Sequence, residues 1–345
     1  MPRTILLTLL FISSCLVEAQ LPSFTEPDSS QVSTLQSLKK ITDDLYLMHY
    51  GADYYFDKFM SKGIGDLDFD GFVKEYLEIK PDSSLWSCSA LMVTNQNGEV
   101  FVGRNFDWEN IPGMILFTDP DSGYSSVSMV PMDLIFNKGA TTATDNLKLL
   151  WAPYFPVEGM NEKGLVIAEL AVEGETVKDI SKPSMLSLQL VRLVLDYAAD
   201  LDEAVRLLGK YNNNSSHRTH FLIADAGGNS AVIEYLEDEM VITENDDPYQ
   251  VVTNDMVYKN SPKRLSKQCN RYNYIYQNLS SNHRALSAPG IMMILRSVAV
   301  EKAYSSQFDI YSSTQWSVIY DLGERSLSIY SRRDFRNEYH YELAR

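Results

Sequence analysis

Three strand–turn–strand patterns, separated by stretches of helical periodicity, constrain this chain more than any other feature. Ser89–Thr94 is apolar and β-prone, Asn95-Gln96-Asn97-Gly98 is a hairpin turn, and Val100–Gly103 returns. Phe221–Asp225 and Ser230–Tyr235 flank Ala226-Gly227-Gly228-Asn229, and Trp316–Asp321 and Ser326–Ser331 flank Gly323-Glu324. Apolar residues recur at helical spacing in Met185–Ala199, in Leu201–Leu208 behind a capping Asp200, in Gln268–Leu279 and in Ile291–Val300. Hairpins interleaved with amphipathic helices predict an α+β layered domain of antiparallel sheets covered by helices.

The sequence before the first hairpin reads differently. Residues 1–19 have the form of a signal peptide: Arg3, then Ile5–Ile12 broken only by Thr8, then Val17-Glu18-Ala19 before a cut at Gln20. The apolar run is too short to span a bilayer. Ile12-Ser13-Ser14-Cys15 also resembles a lipobox, so lipidation at Cys15 is the lesser reading beside simple export. Residues 20–45 carry Pro22, Pro27 and a Ser-rich run and are expected to form a loose leader, with helical periodicity over 53–80. The net charge of −16 argues against nucleic acid as a partner, because phosphate binding needs clustered Lys and Arg. Asn213, Asn214 and Asn278 match the N-glycosylation pattern.

Beyond Cys15 the chain has two cysteines, Cys88 and Cys269. In an exported protein these are a natural disulfide pair. The first hairpin offers a second reading of Cys88. With the turn centred between Gln96 and Gly98, facing residues sum to about 193–195. Cys88 then lies across from Arg104–Asp107, and a thiol, a guanidinium and a carboxylate meet at one sheet end. A neighbouring cation lowers a thiol pKa, and Arg104 is the expected cation. None of the five histidines sits in a cysteine-protease signature. A nucleophile at a chain N-terminus uses its own α-amine as base instead, which requires cleavage of Ser87–Cys88, with Asp107 orienting the amine.

The residues that follow extend this reading. Cys88-Ser89-Ala90-Leu91, then Asn97 through Trp108, the segment Gly159-Met160-Asn161-Glu162-Lys163-Gly164-Leu165, the hairpin within His220–Glu234, and Val251-Val252-Thr253-Asn254 together resemble the choloylglycine hydrolase family of N-terminal-nucleophile hydrolases. That family includes bile salt hydrolases and penicillin V acylases, with acid ceramidase and N-acylethanolamine acid amidase as relatives. The resemblance implies an αββα sandwich and a catalytic domain over 88–345, with 20–87 as a pro-segment or small chain. It implies Cys88 as nucleophile and base, Arg104 and Asp107 beside it, Asn254 as an oxyanion donor and Arg271 in the site's charge network. It implies neither cofactor nor metal. Bile salt hydrolases carry an Asn where ungapped counting puts Ala171; Glu169 stands nearby.

The expected substrate is a linear non-peptide amide with an apolar or fatty acyl group. An acyltransferase using the same thioester and a catalytically silent binding protein of the same fold stay open beside hydrolysis. Self-association of processed chains and loose contact with membrane or lipid stay open as well. Cys269 reads as a buried small hydrophobe, and His220 as structural. His217 and His220 do not form a zinc signature. The Gly159–Gly164 segment reads as a fixed turn, since it lacks the Lys-Ser/Thr of a phosphate loop.

Overall fold

The computed structural model describes residues 26–61, 88–136, 146–172, 182–215, 218–236, 239–258, 269–305 and 310–343. Strands and helices are numbered here in chain order. Nine strands form the first sheet, in the spatial order β1 (Lys39–Lys40), β2 (Leu45–Tyr50), β5 (Gly113–Thr118), β6 (Ser126–Pro131), β7 (Glu158–Asn161), β8 (Val166–Ala171), β11 (Thr219–Ala224), β12 (Ser230–Leu236) and β13 (Glu239–Glu244). The second sheet runs β14 (Tyr249–Val252), β3 (Ser89–Thr94), β4 (Val100–Trp108), β16 (Ile310–Asp321), β17 (Ser326–Ser331) and β18 (Tyr339–Glu342), with β15 (Ala303–Ser305) paired to β16. β9 (Ser184–Met185) and β10 (Asn212–Asn213) form a small parallel pair. Pairing within the two large sheets is antiparallel except between β2 and β5.

Helices cover both outer faces. α3 (Ser187–Tyr197) and α4 (Leu201–Leu208) lie on the first sheet, and α5 (Asn270–Asn282) and α6 (Ala288–Val298) lie on the second. The layers are therefore αββα, as the family resemblance implies, with the helix-covered antiparallel sheets that the hairpin pattern predicts. β3 shows why. Ala90 and Met92 join Cys88 in the core between the sheets, while Leu91 and Val93 pack against Ile275, Ile291 and Leu295 of the second helix layer. A strand buried on both faces needs the unbroken apolar run that its sequence carries.

The three hairpins form with the expected partners. Asp200 caps α4 by accepting from the Glu203 amide at 2.9 Å. Asn161 fixes the Gly159–Gly164 turn: its Oδ1 accepts from Lys163 and Leu165 amides, and its Nδ2 donates to the Leu195 and Ala198 carbonyls at the end of α3. Gly164 has φ 76°, and a Cβ there would sit 2.5 Å from the Leu322 carbonyl oxygen. The segment is a packed turn, not an anion loop.

The N-terminal region departs from the sequence expectation. The Ser-rich run is not loose: it is helix α1 (Ser29–Gln36), held by a capping box in which Asp28 accepts from the Ser30 and Gln31 amides. β2 is an integral strand of the first sheet, and Tyr50, Tyr54, Phe56 and Phe59 are buried in the common core. The Tyr50 hydroxyl donates to the Leu150 carbonyl, and the Tyr154 hydroxyl to the Tyr54 carbonyl. Of the helical periodicity over 53–80, α2 (Phe56–Ser61) is present; the remainder, like residues 1–25 with the expected signal peptide and Cys15, lies outside the described residues. Asn213 is buried and donates to the Thr219 hydroxyl at 2.6 Å, so a glycan has no room there in the folded chain.

Candidate active site

The β3–β4 hairpin brings Cys88 to the end of the second sheet. Its register pairs Ser89 with Asn105 and Ala90 with Arg104, so one further step sets Cys88 across from Phe106. Arg104 and Asp107 are an odd number of residues apart on β4 and leave opposite faces of the strand. Arg104 enters the core between the sheets, where its Nη2 lies 3.9 Å from the Cys88 sulfur. Nη1 donates to the Val157 carbonyl and pairs with Glu158 at 3.3 Å, and Nη2 donates to the Glu169 carbonyl. Glu158 also accepts from the Trp316 indole at 2.7 Å. Arg104 and Asp107 are both fully buried, so neither is a surface pair.

Asp107 is set by an irregularity in β16. Thr314 faces Asp107 and Trp316 faces Phe106, which leaves Gln315 as the extra residue of a bulge. The bulge directs Thr314 Oγ1 to Asp107 Oδ1 at 2.5 Å. Asp107 Oδ2 is buried and has no hydrogen-bond partner among the described residues; Arg271 Nη1 stands 3.8 Å away. Burial raises the Asp107 carboxyl to about 7, against the opposing pull of Arg271, the Thr314 hydrogen bond, Arg104 and Arg333.

Arg271, in the first turn of α5, links the remaining groups. Nη1 donates to the Cys88 carbonyl at 2.6 Å and Nη2 to Asn254 Oδ1 at 3.2 Å. Asn254 Nδ2 donates to the Ala171 carbonyl at 2.8 Å. Position 171 thus meets the site through its main chain, which any residue can supply. All five residues picked out from the sequence, Cys88, Arg104, Asp107, Asn254 and Arg271, meet around one sheet end.

Two expectations change, those for the Cys88 thiol and for Cys269, and the disulfide alternative falls away. Burial pushes the Cys88 thiol up; Arg104 pulls it down, but burial outweighs that pull. A cation alone does not make this thiol a thiolate at neutral pH, and a base has to take its proton. Cys88 and Cys269 are both free, so no disulfide joins them. Cys269 is half-buried rather than a core residue: it is the N-cap of α5, and its sulfur contacts the Tyr272 amide and Thr253 hydroxyl.

The sequence reading missed Thr314, whose role depends on a bulge that leaves no sequence signal. It also missed Glu158, the residue before the Gly-Met-Asn segment. Glu169 lies beside Arg104, its carboxyl raised to about 7 by burial and opposed by a Ser187 hydrogen bond and by Arg104. His217 lies outside the described residues.

Comparison with known proteins gives a consistent result. The model of the family "Linear amide C-N hydrolases, choloylglycine hydrolase family" matches residues 88–293, beginning at Cys88 and covering more than half of the chain. Penicillin V acylase from Agrobacterium tumefaciens superposes with a TM-score of 0.53 at 19% identity, over 71% of this chain and 83% of its own. A variant of conjugated bile acid hydrolase from Clostridium perfringens superposes with a TM-score of 0.56 at 15% identity, over 74% and 92%. These likenesses show the fold, an N-terminal-nucleophile αββα sandwich. No curated protein matches the chain. With the family model matching from Cys88 onward, the chain belongs to the choloylglycine hydrolase family, whose members hydrolyse C–N bonds in linear amides.

Proposed function

We propose that this chain hydrolyses N-acyl amides with an apolar or fatty acyl group through a thioester on Cys88, after the Ser87–Cys88 bond is cut and the Cys88 α-amine is freed. One observation carries the reading. A buried carboxylate oxygen, Asp107 Oδ2, lacks a hydrogen-bond partner at the end of the sheet where the thiol sits. A buried acceptor left open in this way has a cost of about 1–3 kcal/mol. A newly formed α-amine on Cys88 is a donor of the right type to satisfy it.

The chemistry follows from the groups present. The amine takes the thiol proton, and sulfur attacks the amide carbonyl. Negative charge develops on the carbonyl oxygen. The Asn254 amide has two hydrogens; Ala171 engages one, and the other is available to that oxygen. Arg271 fixes the Asn254 carboxamide and the Cys88 carbonyl together. Collapse of the intermediate breaks the C–N bond, and the departing amine receives the proton. Water, deprotonated by the α-amine, then attacks the thioester and releases the acid and the thiol.

The N-terminal segment is read as a small chain that stays bound after cleavage. β2 fills a place beside β5 in the first sheet, and Tyr54 and Phe56 sit in the shared core, so its departure would open that core. Export through residues 1–19 belongs to the same reading.

Acid quench of the enzyme during turnover of a fatty-acyl amide, followed by intact mass of the fragment starting at Cys88, tests it. A mass increase equal to the acyl group, absent in Cys88→Ala, is expected. Turnover with no acylated fragment at any time point and unchanged activity in Cys88→Ala would overturn it. Added hydroxylamine or amine during turnover separates hydrolysis from acyl transfer.

A further inference from the structure

We propose that His220 and Glu234 form a buried positioning relay that places Asn254 against the reacting carbonyl; the proposal rests on the reading of Asn254 as the oxyanion donor. His220 on β11 and Glu234 on β12 face each other directly across the antiparallel pair. Both are buried. His220 Nε2 lies 2.7 Å from the Thr253 carbonyl oxygen. A carbonyl only accepts, so Nε2 carries the proton and donates. His220 Nδ1 lies 3.3 Å from Glu234 Oε1.

Glu234 grips the same segment from its other side. Oε1 accepts from the Val257 amide at 2.8 Å and Oε2 from the Tyr258 amide at 2.6 Å. The pair therefore holds the main chain one residue before Asn254 and three and four residues after it. The segment 253–258 leaves β14 of the second sheet, whereas β11 and β12 belong to the first. The relay is a polar bridge between the sheets, and Asn254 lies within the stretch it spans. From there the Asn254 carboxamide reaches Ala171 on β8 and Arg271 on α5.

Stability gives little reason for this choice. A buried His–carboxylate couple pays desolvation that a well-packed apolar pair avoids. What the couple supplies is direction: two carboxylate oxygens and one ring N–H fix three main-chain groups. A displacement of about 1 Å at a reacting group costs about 100-fold in rate, so a fixed loop matters at this position. His220 and Glu234 touch neither substrate nor the thiol; they act through Asn254.

The test is a double-substitution cycle on the full processed enzyme with a fluorogenic fatty-acyl amide. Active sites are counted by the burst from an activated acyl ester, so that kcat is expressed per competent site. His220→Phe keeps an aromatic ring and loses the hydrogen bond to the Thr253 carbonyl and the contact with Glu234. It is expected to lower kcat about 30–100-fold with KM within about twofold. His220→Gln, which keeps an N–H for the Thr253 carbonyl, is expected to recover most of that loss. In an Asn254→Ala background, His220→Phe is expected to cost less than about twofold more, because residues acting through one group are not additive. Where His220→Phe does not fold, Glu234→Gln is measured in the same cycle and is expected to show the same non-additivity at about 5–10-fold amplitude. A His220→Phe enzyme with kcat per site near wild type, or losses that multiply fully with Asn254→Ala, overturns the relay. An Asn254→Ala enzyme of unchanged kcat instead overturns the oxyanion reading, and the relay falls with it.

Discussion

Among the described residues, two buried arginine–carboxylate clusters differ in how their carboxylate oxygens are engaged. At the end of β4, Arg104 approaches a thiol, and Asp107 leaves one carboxylate oxygen open. On α3, Arg192 Nη1 donates to the Thr118 and Ser126 hydroxyls and pairs with Asp196 Oδ1 at 3.1 Å. Asp196 Oδ2 accepts from the Tyr54 hydroxyl at 2.9 Å, so both oxygens are engaged. The second cluster joins α3, the first sheet and the N-terminal segment without a nucleophile. Asp196 is engaged at both carboxylate oxygens, whereas Asp107, at the sheet end that holds the thiol, is hydrogen-bonded at only one. Both carboxyls are raised by burial, Asp107 to about 7 and Asp196 to about 6, so a raised value alone does not tell them apart. The open oxygen does.

Cys88→Ala is expected to abolish amide hydrolysis, by at least about 10⁴-fold, with the fold intact; circular dichroism and a turnover assay check it. In the α3 cluster, Arg192→Leu is expected to destabilise by about 3–5 kcal/mol, because Asp196 is left buried without its counter-charge. Denaturant unfolding measures the loss, and kcat per folded molecule is expected to hold within about twofold. A site-like collapse of kcat there would erase the distinction.

Asparagine at the two carboxyls separates their roles. Asp107→Asn is expected to lower kcat about 100-fold while leaving the melting temperature at pH 7.5 unchanged or higher, since the charged form is disfavoured by burial. Asp196→Asn is expected to leave kcat within about twofold, because no thiol lies beside it. Paired thermal melts and rates on both variants decide this.

The smallest effect is in pH. Asp107 and Glu169, at about 7, and Asp196, at about 6, bind protons more tightly folded than unfolded. Where the native state holds more protons, stability falls as pH rises. The protein is therefore expected to be more stable near pH 5 than near pH 7.5, the loss developing between about 4 and 7. A melting temperature that climbs across that window would contradict the assignment of these groups.

Much of this was legible in the sequence, for identifiable reasons. The Asn95–Gly98 turn fixes the register that sets Cys88 across from the Arg104–Asp107 segment, and the alternation on β3 and β4 needs no tertiary information. Arg271 was legible only through family resemblance: on an amphipathic helix it reads as solvated, and its position depends on how α5 docks. The N-terminal segment was misread because polar, serine-rich composition hides a capped helix, and because β2 pairs in parallel with a strand some seventy residues later. Thr314 and the His220–Glu234 couple depend on a bulge and on the crossing of two sheets, which local patterns do not record.

The central claim is that Cys88 works as the first residue of its chain. Intact mass and N-terminal sequencing of purified protein, at neutral and acidic pH, beside Cys88→Ala, test it directly. The account predicts a wild-type fragment beginning at Cys88 that co-elutes with the smaller N-terminal chain, and an uncut Cys88→Ala protein. A wild-type chain that stays uncut at Ser87–Cys88 under every condition while hydrolysing amides would contradict it.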